Sequence, residues 1–203
     1  VEDVTGSCFL LETSKGKLLI DCGMHQGERM CSKKNLEPFA FTPAHISSVV
    51  VTHAHFDHTG RTPDLVKRGY TGKIYMTPPT KALTQIVLED SVKVMAENAK
   101  RCGDPVPYDA EDLATMLEQT VTVPYHHVIE LFDGVTAEFF DAGHILGSSF
   151  IRVVATDGEE TRSFIFSGDI GNDDVPILPD TEDRPETDIV VCEATYGGGE
   201  HEP

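Results

Sequence analysis

Apolar residues fall in short runs separated by turn-forming residues along most of the chain, and only one stretch is long enough for an extended helix. Residues 8–11 and 17–21 flank Ser14-Lys15-Gly16, and Gly23 closes the second run, which predicts a hairpin of two strands. Residues 47–52 read SSVVVT, a β-branched run too short for a helix and typical of a strand buried on both faces. A short helix is expected over 63–68 and a strand over 73–76. Pro78-Pro79 then opens a long helix to about Arg101, because proline is tolerated in the first helical turn; Ala82, Leu83, Ile86, Val87 and Val94 are its expected buried stripe. Asp109, three residues before Asp112 and ahead of Leu113, Met116 and Leu117, predicts a capped second helix, although a capping box prefers Glu or Gln at the later position. Residues 128–132, 135–140, 149–155, 163–166 and 189–192 are five further strand candidates between Asp-Gly, Gly-Ser and proline-rich turns. Strands, then helices inserted over about 78–118, then strands again argue for a two-sheet core with helices outside.

The 203 residues suffice for one well-buried domain. Sixteen basic against thirty-four acidic side chains give a formal charge of −18, much of it in 109–118 and 173–186. That balance acts against holding a polyanion, since phosphate contacts come from Lys and Arg, and it is also the ordinary mark of a solubilising surface. No apolar run approaches the roughly 20 residues that span a bilayer, and no basic segment precedes a hydrophobic one at the N-terminus. The expectation is a cytoplasmic chain with no membrane partner. Cys8, Cys22, Cys31, Cys102 and Cys192 are odd in number, widely spaced and without a CxxC pair, so neither a disulfide framework nor a thiolate zinc site is expected.

The chemistry concentrates in Thr52-His53-Ala54-His55-Phe56-Asp57-His58-Thr59-Gly60, three imidazoles and a carboxylate following a strand. In extended chain, residues two apart point the same way, so His53 and His55 can offer two nitrogens to one ion. Asp57 and His58 lie where the chain bends into a helix and can face a second ion. Imidazoles beside a carboxylate, with no thiolate, suit Zn²⁺, Mn²⁺ or Fe in an open site. His144, in the glycine-bracketed loop Asp141-Ala142-Gly143-His144-Ile145-Leu146-Gly147-Ser148, adds another imidazole. Asp169, in Ser167-Gly168-Asp169-Ile170-Gly171, adds a carboxylate at a strand end.

Asp21-Cys22-Gly23, HAHFDH, GHILGSS and SGDIG, in that order and each after a strand, resemble the metallo-β-lactamase superfamily. The opening Val4-Thr5-Gly6-Ser7-Cys8, the GHILGSS loop and the terminal Cys192-Glu193-Ala194-Thr195-Tyr196-Gly197 are similar to its β-CASP branch, specifically the RNA-processing nucleases like the cleavage and polyadenylation factor. The resemblance implies an αββα sandwich of two mixed β-sheets flanked by helices, incomplete at the C-terminus. It implies two Zn²⁺, one held by His53, His55 and His144, the other by Asp57 and His58, with Asp169 bridging and Asp21 behind them orienting the histidine loop. Asp57, Asp169 and Glu193 are the implied catalytic carboxylates. It further implies RNA as partner and hydrolysis of its phosphodiester bonds by a hydroxide shared between the metals.

Family members carry an arginine soon after TYG where this chain reads Gly198-Gly199-Glu200-His201. The family's last metal-ligating histidine, and the histidine partner of Glu193, lie beyond this chain, and the β-CASP domain would begin near Glu202. A fragment or truncated product with a weaker second metal site and little activity of its own is therefore expected. His25, His45, His126, His127 and His201 match no motif and are expected on loops or surface, His25 beside the cleft. The acidic composition favours a rival, a small-molecule ester, thioester or lactone hydrolase, because one metal shell serves several reactions. A non-catalytic scaffold is a third alternative, disfavoured by the intact motifs. A homo-oligomer remains open.

Overall fold

A computed structural model of the chain describes residues 5–27, 33–172 and 175–195. Val4, Cys31, Tyr196-Gly197, the residues after them and the expected domain start near Glu202 lie outside that range. Among the described residues, ten strands form two five-stranded sheets whose spatial order follows the sequence.

The first sheet contains β1 (Phe9–Glu12), β2 (Lys17–Ile20), β3 (Ser48–Val50), β4 (Lys73–Met76) and β5 (Thr120–Thr122). β1 and β2 are the expected antiparallel hairpin, and β2 to β5 run parallel. The second sheet contains β6 (Ile129–Phe132), β7 (Val135–Asp141), β8 (Ser149–Asp157) and β9 (Glu160–Phe166) as an antiparallel meander, with β10 (Ile189–Val191) parallel to β9 at its edge. β5 was not anticipated: three residues of alternating Thr and Val at a sheet edge carry too little periodicity to stand out beside a helix end.

Strand alternation assigns the layers. Leu18, Ile20 and Val50 meet Val135, Ala137, Phe139, Ile151, Val153 and Phe166 between the sheets. Leu19, Val49, Val51, Ile74 and Met76 point the opposite way onto the helices, which explains why Val49, Val50 and Val51 follow one another without a polar break. The helices are α1 (Phe56–Thr59), α2 (Thr62–Lys67), α3 (Pro78–Cys102) and α4 (Ala110–Gln119). α4 begins with Asp109 accepting from Glu111 and Asp112 while the Asp112 side chain bonds back to the Asp109 N–H, so aspartate completes the capping box.

α3 has the expected bounds but not the expected face. Thr80, Thr84 and Leu88 are its buried residues, while Ile86 is 65 % and Val94 49 % exposed. One inward threonine has a positional role: the hydroxyls of Thr80 and of the N-cap Thr77 both donate to the Gly147 carbonyl at 2.7 Å, tying the helix start to the loop that carries His144. A stripe chosen by hydropathy misses a face that buries two threonines beside one leucine. Accordingly, Leu88→Ala should cost about 2–5 kcal/mol in urea denaturation, and Ile86→Ala at most about 0.5 kcal/mol; equal effects would contradict this helix orientation. Cys8, Cys22 and Cys192 are free, while Cys102 is disulfide-bonded against expectation, because sequence spacing does not reveal what a 25-residue helix brings near its end. Among the described residues no helix is long and apolar enough to cross a membrane.

Candidate metal centre

Side chains from both sheets converge at the C-terminal ends of β3, β7 and β9. His53 and His55 follow β3, and His55 caps α1, so the chain leaves the strand extended and turns within one residue. His144 lies after β7 and Asp169 after β9. His53, His55, His144 and Asp169 each present one ligand atom, and these atoms lie within 4.8 Å of one another. His144 Nε2 and His55 Nδ1 are 3.1 Å apart. His53 Nε2 is buried, has no hydrogen-bond partner among the described residues, and lies 3.6 Å from Asp169 Oδ2. A buried imidazole nitrogen left unpaired costs free energy unless something outside the chain satisfies it. The donor set, three imidazoles and one carboxylate without thiolate, suits a divalent cation.

His58, in α1, joins the group through Asp169, with Nε2 3.2 Å from Oδ1. Its other nitrogen, Nδ1, is 2.8 Å from Asp21 Oδ2. Asp21 is 1 % exposed and adopts a left-handed backbone, φ 57°. It also accepts the Thr52 N–H and the Thr52 hydroxyl, each at 2.8 Å. Asp57, half-buried in the first turn of α1, sits outside the group of four, and its carboxylate has no partner among the described residues. Glu193, just after β10, accepts the Ile170 N–H at 2.9 Å and the Thr195 hydroxyl at 2.7 Å, which holds it against the Asp169 loop. A cavity of about 570 Å³ runs past Asp21, His58, Asp169 and Glu193.

Burial, reinforced by repulsion from His58, lowers His53 to about 2. Burial opposes charge on His58 too, but the carboxylates of Asp21 and Asp169 outweigh it and raise that imidazole to about 10. Burial would raise Asp169, yet His58, His53 and His144 bring it to about 2. Desolvation lowers His144. The site thus keeps the Asp169 carboxylate ionised beside imidazoles despite its burial.

His45, His126 and His127 are exposed, His126 beside Glu182, and His25 lines a separate cavity of about 440 Å³ with Phe56 and Leu36. Two contributors went unremarked in the sequence. Ser148 Oγ accepts the N–H groups of His144 and Ile145 at 3.0 and 3.2 Å and shapes the histidine loop. Thr52 Oγ1 lies 3.1 Å from His53 Nδ1 and 3.3 Å from His58 Nδ1. A hydroxyl next to a ligand-rich motif was the available signal for both.

Two packed mixed sheets with a His/Asp centre at their shared end define a metal-site protein of the sandwich class. The chain belongs to the Metallo-beta-lactamase superfamily, whose pattern matches residues 1–193. Among curated relatives, Ribonuclease TTHA0252 of Thermus thermophilus is 39% identical over 201 residues, covering 99% of this chain and 43% of the relative. Transcription termination factor FttA of Methanosarcina mazei is 35% identical over 97% of this chain and 30% of its own length. Endoribonuclease YSH1 of Eremothecium gossypii is 29% identical over 99% of this chain and 26% of its own. The chain therefore spans less than half the length of these relatives, which are of the β-CASP type its motifs resemble. A B3 metallo-β-lactamase with an active-site glutamic acid superposes with TM-score 0.51 at 16% identity, over 84% of this chain and 60% of the other, a likeness of fold alone.

Proposed function

We propose that this chain is the metal-binding part of a β-CASP ribonuclease that hydrolyses RNA phosphodiester bonds. The observation that carries the proposal is the convergence of His53, His55, His144 and Asp169 on one point, with His58 attached through Asp169. In this reading His53, His55 and His144 hold one Zn²⁺, Asp57 and His58 contribute to a second, Asp169 serves both, and Asp21 orients His58. When bound, such cations act as Lewis acids and make water acidic enough to furnish a nucleophile near neutral pH. Asp169 is held ionised by its histidines and so is ready to ligate without first losing a proton. Glu193 is fixed beside it and is assigned to the leaving-group side, paired with a residue supplied from beyond residue 203. Residues of about 78–118 form the helical insertion, and a β-CASP domain would begin near 202. The names of the relatives support RNA as the substrate.

The charge of −18 favours a second reading, a small-molecule ester, thioester or lactone hydrolase. End-labelled single-stranded RNA incubated with the chain at high concentration, with and without zinc, separates the two. Slow zinc-dependent cleavage is expected, falling roughly 100-fold or more in His55→Ala. Intact RNA alongside zinc-dependent hydrolysis of a thioester would favour the second reading.

A further inference from the structure

Thr52 follows the strand that delivers the histidines and is 1 % exposed. Its one hydroxyl hydrogen is committed: Oγ1 donates to Asp21 Oδ2 at 2.8 Å, and a carboxylate can only accept. The hydroxyl oxygen therefore offers only lone pairs to His53 Nδ1 at 3.1 Å and His58 Nδ1 at 3.3 Å. Two facing lone pairs repel, so each imidazole must carry its hydrogen on Nδ1. For His58, Asp21 at 2.8 Å already enforces this. For His53, the Thr52 hydroxyl is the Nδ1 partner, and Nε2 is the buried atom left without one among the described residues.

We propose that Thr52 is a positioning residue that fixes His53 as its Nδ1–H tautomer, relaying the acceptor character of Asp21 through its hydroxyl and leaving the Nε2 lone pair for a divalent cation. The cation in this statement rests on the metal-centre reading above; the tautomer rests on hydrogen-bond geometry alone. Which ring nitrogen of a histidine can ligate is set by the bond the other one makes. The side chain is also fitted to its space. A Cβ on Gly168 would come 2.7 Å from Thr52 Cβ and 3.1 Å from Cγ2, so this wall leaves room for a branched residue of threonine's size and little more. Valine keeps that shape without the hydroxyl, and serine keeps the hydroxyl without the methyl.

The test uses the ¹⁵N-labelled 203-residue chain, wild type, Thr52→Ser and Thr52→Val. Long-range ¹H–¹⁵N spectra read the His53 tautomer with no metal added, and competition with a chromogenic chelator reads zinc affinity. Wild type and Thr52→Ser should give His53 protonated on Nδ1. Thr52→Val should move His53 toward the Nε2–H form and weaken zinc binding about 10–100-fold, with serine little changed. A valine variant that keeps Nδ1–H overturns the proposal whatever zinc does. Wild type that fails to hold zinc while showing the expected tautomer pattern would sink the metal reading and leave the role of Thr52 standing. Far-UV circular dichroism checks the fold, and Thr52→Ala, with less bulk beside Gly168, reads the same two signals if valine disturbs the strand.

Discussion

Asp21→Ala is expected to destabilise the chain by about 3–5 kcal/mol, the usual cost of removing one partner from a buried charged pair. Three donors converge on that carboxylate at 2.8 Å each: the Thr52 N–H, the Thr52 hydroxyl and His58 Nδ1. Asp21, Thr52 and His58 are all buried, so removing the carboxylate takes away partners that bulk water does not directly replace. The left-handed backbone at Asp21 adds to the loss, since alanine is disfavoured there by roughly 1–2 kcal/mol and aspartate or asparagine less so. Asp21→Asn separates the two effects. It tolerates the backbone and keeps the shape, but its amide group meets a donor with a donor, so an intermediate loss is expected. Urea denaturation followed by far-UV circular dichroism is the measurement. A midpoint for Asp21→Ala close to wild type would mean that the donors find other partners.

Gly23→Ala should disturb the site as severely without touching any ligand. A Cβ at Gly23 would run into the backbone carbonyl of Asp57. Residues 22–24 lie along α1, with Cys22 N–H donating to the His58 carbonyl at 2.9 Å and Met24 N–H to the Phe56 carbonyl at 3.1 Å. Both walls of the clash are main chain, so no side chain can swing aside, and α1 must move away carrying Asp57 and His58. Overpacking of this kind costs about 1–3 kcal/mol and sometimes more. A shift near 1 Å in a ligand can cost on the order of 100-fold in function. Zinc affinity by chelator competition should fall by about that factor while circular dichroism still reports a folded chain. Wild-type affinity in Gly23→Ala would show that the packing of α1 against residues 22–24 does not set the ligand positions.

Much of this was legible in the sequence where local pattern and final burial agree. The run at 47–52, the proline-opened helix and the HAHFDH cluster each announce themselves because strand, helix start and ligand spacing are local properties. The inward face of α3 was not legible, since Thr80, with the N-cap Thr77, is buried for its bond to Gly147 in a loop far away in sequence, and Thr84 and Leu88 share that face. β5 went unseen because three residues at an edge borrow their order from β4. The site divides the same way. The residues themselves could be named from their motifs, but the separation of Asp57 from the group of four, and the roles of Thr52 and Ser148 behind the histidines, depend on distances that no spacing rule supplies. Ionisation was hidden too: His53 and His58 are five residues apart in one motif and are driven in opposite directions, because only His58 has two carboxylates in contact.

The two sheets come from consecutive, non-interleaved stretches, residues 9–122 and 129–191. His53, His55 and His58 belong to the first stretch, His144 and Asp169 to the second, and Glu193 follows just after it. Neither half of the chain therefore owns a complete ligand set, and each can in principle form its local strand pairings before the other is ready. The centre comes into being only at the moment the halves dock, so occupancy of the site would report assembly of the whole sandwich rather than the folding of either part.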